Sequence, residues 1–431
     1  MPPLVAKHMH LPGSNKEGWI DGIMRKLLSE NKEDSKIELS VAFPVIKALS
    51  GLREEIEFEN TKFMAYGFYE DVSRPEIYDP ETEETIGQII DEVSPDVIHI
   101  FGSEFGHAYA AVQKATDRSK VLIGIQGLIS LYAKAYMSQL PKRVINRVTF
   151  RDIIKRDSIK RQQEKFFIRG DREIKAIEMA GNITGRTPWD HDETQRINPG
   201  EKYYKMNETL RGSFYEDRWN RKEAVPHTIF MSQGDYPIKG LHFMLLAIKD
   251  LKVKYPDIRV NVAGNVIIRT GLLSFLKESS YGKYIKELIN KYDLWDNITF
   301  LGRLSSEEMK AEYLKANVYV CSSSIENSPN SLGEAMILGV PCVAADVGGV
   351  RGIFDGENDG ILYEGSEGNL CLEEISENLR ASVEKIFESS DEELNKMAES
   401  AIRHAGKNHD PQANYDRLIE IYKDIANRGK Q

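Results

Sequence analysis

Cysteine is scarce in this chain, with three residues in 431, at Cys321, Cys342 and Cys371. An odd number without paired spacing gives neither a disulfide framework nor a zinc site, and it fits a reducing compartment, so the sequence reads as cytoplasmic. Long apolar runs are missing too, since no stretch approaches the roughly 18 residues that span a bilayer. The opening MPPLVAKHMHLPGSNKEGW also lacks the apolar core of a secretory signal. A surplus of positive charge is the third absence. Lys and Arg total 57 against 67 Asp and Glu, a formal charge of -10. Phosphate backbones are held by clustered positive charge, so no nucleic-acid partner is expected.

What is present is globular: 41% hydrophobic and 29% charged residues leave ample material for buried sheets. The length exceeds one ordinary core and predicts two domains of roughly 200 residues. From His227 onward, HTIFMS, DIRVNVAG, NITFLG, NVYVCS and PCVAA are short, partly β-branched runs that read as strands. Amphipathic stretches such as LHFMLLAIKDLKVKY and SSEEMKAEYLKA alternate with them, which implies βαβ units and a parallel sheet with ligands outside the carboxyl ends of its strands. The first half repeats this less cleanly, with strand candidates IELSVAF, KFMAYGF, DVIHIF and KVLIGI and helices around 81–93 and 105–117.

The polar, turn-rich segment from Gly185 to Pro226 reads as a linker, with the boundary near residues 216–226. The domains are therefore expected at 1–220, 221–408 and a last helix at 409–431. PPLVAKHMH makes a poor strand, so either this edge of the sheet is irregular or, the favoured expectation, the first strand lies upstream of this chain.

The richest stretch is SSSIENSPNSLGEAMILGVPCVAADVGG, Ser322 to Gly349, where Glu326 and Glu334 stand eight positions apart. Cys321 should end a buried strand, and EAMILG reads as a short helix closed by Gly339 and capped by Asn330 or Ser328. Glu334 then lies in its first turn and Glu326 on the preceding loop. The amides around Asn330, Ser331 and Leu332 form a positive helix end suited to phosphate. A carboxylate beside such an end accepts from vicinal hydroxyls, a combination that suits a nucleotide-sugar.

This Glu-x7-Glu context resembles the donor-site signature of retaining GT-B glycosyltransferases, family 4 (glycosyl transferases group 1). VNVAGN, IKGLHFMLLAI and FLGRLSSEEMKAEYLKANVYVCSS extend the resemblance over nearly the whole C-terminal half. It implies an α/β GT-B fold, two Rossmann-like domains facing across a cleft, with an N-terminal acceptor domain, a C-terminal nucleotide-sugar domain and a last helix crossing back to the first.

The resemblance assigns the ribose hydroxyls to Glu334, the donor sugar and the charge developing at its anomeric carbon to Glu326, and the donor diphosphate to Lys239. Asn330, Ser331 and Leu332 join them on the donor, and Gly264 with Gly302 and Arg303 would line the base pocket. In the N-terminal domain, Gly18, Trp19, His99, Glu104 and Gln126 are the cleft candidates, with His107 nearby. The implied activity is metal-independent hexosyl or pentosyl transfer, with no cofactor beyond the nucleotide-sugar donor, carrying a uridine or guanosine base, to a glycan or lipid-linked acceptor in bacterial surface polysaccharide synthesis.

Two positions depart from the pattern. Gly234 stands where the family pairs an arginine with its lysine, leaving Arg303 or Arg186 as substitutes. Gln126 stands where many members carry a histidine, and glutamine cannot take a proton. These losses favour, as the alternative, a catalytically weak accessory subunit that binds glycan or a partner transferase. Residues 190–192, Asp-His-Asp, mimic a metal motif but sit in the linker-like region, and no metal is expected. The basic segment 141–165 reads as a solvated helix face or as a contact for anionic lipid at the inner face of the membrane.

Overall fold

The computed structural model describes residues 2–10, 18–30, 37–269, 271 and 276–428, with the side chains of 18, 19 and 21 outside the description. Contacts divide the chain into two compact units. One comprises Met1–Ser130, Phe166–Arg211 and His409–Gln431, the other Leu131–Lys165 and Gly212–Asn408. The change at Arg211 precedes the expected 220/221 boundary. Residues 131–165, expected in the N-terminal domain, cluster with the second unit. Local bonds explain this: Thr149 Oγ1 donates to the Glu278 carbonyl at 2.7 Å, and His242 Nε2 lies 2.7 Å from the Ser138 carbonyl.

In the first unit, β1 (Ser40–Val45), β2 (Arg53–Phe58) and β3 (Thr61–Tyr69) form a sheet of order β1-β3-β2. The β2–β3 hairpin turns through Glu59 and Asn60 at φ 48° and 67°, the two left-handed residues of a tight hairpin whose twist matches its strands. A second sheet is wholly parallel: β4 (Ile98–Phe101), β5 (Val121–Gly124), β6 (Asn182–Gly185) and β7 (Lys202–Lys205), in that order.

The supposed linker is therefore built structure. Thr187 and Asp190 form a reciprocal capping box, Pro188 occupies the first helical turn, and helix Pro188–Ile197 leads into β7. Polar composition masked these start signals. At the other end of the chain, PLVAKH is a helix, Pro3–His8, in keeping with its poor strand pattern. Helix Pro411–Arg428 belongs to the first unit, packing Leu418, Ile421 and Ile425 against Leu27, Leu122, Tyr204 and Met206.

The second unit holds one parallel sheet. Its strands are β8 (Thr228–Met231), β9 (Arg259–Ala263), β10 (Ile298–Gly302), β11 (Val318–Cys321), β12 (Cys342–Asp346) and β13 (Gly360–Glu364). Their order is β10-β9-β8-β11-β12-β13. The chain thus winds outward from β8 in one direction, then crosses back to β11 and winds outward in the other. β8 and β11 lie at the point of reversal, the position in open α/β sheets outside whose carboxyl strand ends ligands bind. Both strands are buried throughout, as a sheet covered on both faces requires.

Candidate functional site

At the switch point two turns are pressed together. After β8 the chain makes the tight turn Pro237–Lys239, followed by Gly240 in the left-handed region at φ 70°. A Cβ on Gly240 would overlap the Ser322 carbonyl oxygen, so only glycine lets this turn meet the loop leaving β11. The contact is stitched by Ser324 N–H donating to the Ile238 carbonyl at 2.7 Å and Ser322 Oγ to the Lys239 carbonyl at 3.2 Å. From the other side, Gly348 at φ 54° lies against the Glu326 carbonyl, which accepts from Gly349 N–H at 2.9 Å.

These backbones bring Lys239 and Glu326 together. The Lys239 ammonium is bonded to Glu326 Oε1, and Ser323 Oγ donates to the same oxygen at 2.7 Å. Glu326 is only 6% exposed. Burial works to lower the lysine pKa, but the Glu326 carboxylate, with Tyr236 and Tyr132, outweighs it and raises the pKa, so the ammonium stays charged. A cation held this way can meet a diphosphate, and the carboxylate can meet hydroxyls or positive charge.

Glu334 is buried in helix Asn330–Leu338, which Gly339 ends in the left-handed conformation. The helix begins at Asn330, a residue expected to cap it, and Glu334 falls just past the first turn. Its cap residue is Pro329 with no side-chain cap, in place of Asn330 or Ser328. The Leu332 amide donates to the Pro329 carbonyl at 2.9 Å and is not open. The Ser331 hydroxyl accepts from Tyr319 at 2.9 Å.

At the ends of β9 and β10, Gly264 N–H donates to the Gly302 carbonyl at 2.9 Å, placing Gly264 next to the Gly302–Arg303 turn. Arg303 is exposed, and its Nε donates to Asn265, whose amide donates to Asp235 at 2.5 Å. Asp235, beside Gly234, was not legible as a site residue. Arg186, the other substitute considered for the missing arginine, is buried in the first unit and paired with Glu208 at 2.8 Å.

In the first unit, the carboxyl ends of β4 to β7 carry Glu104, Gln126, Arg186 and Glu208. The Gln126 amide donates to Glu208, and Arg186 Nη2 donates to the Gln126 carbonyl at 3.2 Å. No sequence motif surrounds Glu208 to mark it as a site residue. Burial pushes the Glu104 pKa up to about 7. His99 points elsewhere: Nδ1 lies 2.8 Å from the Tyr422 hydroxyl and the ring stacks on Phe101. Burial lowers its pKa to about 3, so it is a neutral framework residue. His107 pairs with Glu70 at 2.6 Å. Gly18 and Trp19 open helix Gly18–Ser29, with their side chains outside the described residues. Asp190 is buried and accepts from the Arg186 amide at 2.9 Å, a capping role. Among the described residues, no group of three His, Cys, Asp or Glu side chains could hold a metal, and no helix is long and apolar enough to cross a membrane.

The winding order and its reversal define the second unit as a doubly wound α/β domain. Residues 215–404 match the family model of glycosyl transferases group 1. Among curated relatives, spore coat protein SA of Bacillus subtilis is 24% identical over 190 residues, 43% of this chain and 46% of that protein. D-inositol 3-phosphate glycosyltransferase of Corynebacterium urealyticum is 26% identical over 190 residues, 44% of this chain and 41% of that protein. The chain thus matches less than half the length of each of these two. Sucrose-phosphate synthase from Thermosynechococcus elongatus superposes with a TM-score of 0.68 at 14% identity, covering 96% of this chain and 94% of that one. At that identity the likeness establishes the fold, which is GT-B.

Proposed function

We propose that the chain is a retaining glycosyltransferase that moves a sugar from a nucleoside diphosphate-sugar, with a uridine or guanosine base, to a glycan or lipid-linked acceptor in surface polysaccharide synthesis. The observation that carries this reading is the buried Lys239–Glu326 pair at the switch point, with Glu334 on the adjoining helix. In this reading Lys239 offsets the charge left on the departing diphosphate, and Glu326 supports the charge developing at the anomeric carbon. Glu334 accepts from the ribose hydroxyls. The acceptor oxygen bonds to the anomeric carbon on the face from which the diphosphate leaves, and a diphosphate oxygen takes the acceptor's proton. No protein base is then needed, which suits Gln126.

The cation offsetting the diphosphate is protein-borne, so the reaction is proposed to run without metal. Turnover of UDP- and GDP-sugars in the presence of a chelator, with the anomeric configuration of the product read by NMR, tests the reading. A retained configuration supports it, and an inverted product contradicts it. The accessory-subunit reading draws on Gly234 and on the commitment of the Gln126 amide to Glu208. Nucleotide binding without turnover across a panel of acceptors would favour it.

A further inference from the structure

Residues 141–165 carry nine Lys and Arg against three Asp and Glu, within a chain of formal charge -10. Inside this segment lies the short helix Phe150–Lys155, and its orientation is reversed from that of an ordinary surface helix. One of its polar residues faces inward: Asp152 is buried, completes a capping box with Thr149, and accepts from Ser280 N–H at 3.1 Å and Ser280 Oγ at 2.6 Å. Its apolar residues face outward. Phe150, Ile153 and Ile154 follow an i, i+3, i+4 spacing that puts them on one face, and they are 53%, 65% and 63% exposed, with Val148 beside them in sequence at 55%. Soluble proteins seldom leave such a cluster uncovered without a use.

The charges around this face separate into two groups. Arg143 and Arg147 are paired with Glu287, and Arg151 with Asp157, so they serve the fold. Lys155, Arg156, Lys160 and Arg161 are exposed, and among the described residues they have no ion-pair partner. Unpaired cations flanking an outward apolar face match an anionic bilayer, whose headgroups attract the cations while the apolar side chains enter the acyl boundary. A second copy fits less well, because a self-complementary contact brings the same cations against each other.

We propose that the face formed by Phe150, Ile153 and Ile154 and flanked by Lys155 and Arg156 docks the protein on an anionic membrane surface. The proposal goes beyond the transferase reading and does not depend on it, because docking requires no nucleotide.

Sedimentation of the full chain with vesicles tests it. Vesicles of equal parts phosphatidylglycerol and phosphatidylcholine should carry the protein down at low salt, and phosphatidylcholine vesicles should not. Ile153→Ser/Ile154→Ser and Lys155→Glu/Arg156→Glu should each weaken sedimentation by on the order of 10-fold, and salt should weaken the wild-type interaction. Thermal melting checks that both variants remain folded. Absence of sedimentation with the anionic vesicles would overturn the proposal, as would equal sedimentation of folded variants. A dimer lost in the Ile153→Ser/Ile154→Ser variant, without vesicle binding by the wild type, would assign the face to a second copy.

Discussion

Lys239 and Glu326, 87 residues apart in the chain, meet as a buried ion pair where the turn after β8 touches the loop after β11. Each is the other's charge partner in a place with little water. Removing one leaves the other's charge uncompensated, while removing both does not. Lys239→Met should therefore lower unfolding stability by about 3–5 kcal/mol, and Lys239→Met/Glu326→Leu should recover most of that loss without recovering sugar transfer. Urea denaturation reads the first effect and donor turnover the second. A double variant as unstable as the single would show that the pair does not set local stability.

Gly240 makes the meeting possible. Its φ of 70° and its contact with the Ser322 carbonyl both exclude a Cβ. Gly240→Ala should cost about 1–3 kcal/mol from backbone strain, more if the turn must shift, and should weaken nucleotide binding by displacing Lys239. A melting temperature equal to wild type would contradict this geometry.

Glu104 makes stability depend on pH. Its unperturbed pKa is 4.5, and burial raises it to about 7 in the folded chain. Between those values the folded state holds a proton that the unfolded state has lost, so stability falls as pH rises, by up to about 3 kcal/mol. Glu201 is raised to about 7 by burial as well and contributes the same sign. Glu104→Gln should therefore reduce the slope without abolishing it, and should stabilise the protein more at pH 8 than at pH 4. Melting curves across that range decide it, and an unchanged slope would place the Glu104 carboxyl in water.

His99 should behave as framework. Tyr422→Phe removes its hydrogen bond to helix Pro411–Arg428 and should cost about 1 kcal/mol, leaving nucleotide affinity unchanged. Thermal melting beside nucleotide titration separates the two effects. A large loss of affinity with intact stability would return His99 to the binding site.

The second unit was legible because its signals are local. Apolar β-branched runs alternate with amphipathic stretches, and Gly339 ends the helix after Glu326 where a left-handed residue is needed. The final strand, Gly360–Glu364, was not legible, since GILYE is short and follows a polar loop. In the first unit the polar composition of 185–226 hid the Thr187–Asp190 cap, and one-dimensional patterning could not show that residues 131–165 pack with the later unit. Among site residues, Glu326, Glu334 and Lys239 stood out through their turn context. Glu208 and Asp235 did not, because their placement depends on which strand ends become neighbours, and only the folded sheet order fixes that.

The central claim is that the switch point of the second unit binds a nucleoside diphosphate through Glu334 and the adjoining pair. Calorimetric titration of UDP and GDP into wild type and Glu334→Ala, with melting curves confirming that both are folded, tests it most directly. The predicted result is binding by wild type to one of the two nucleotides and a loss of at least ~10-fold in the variant, as removal of charge-assisted hydrogen bonds implies. Equal affinity in the two proteins would contradict the assignment.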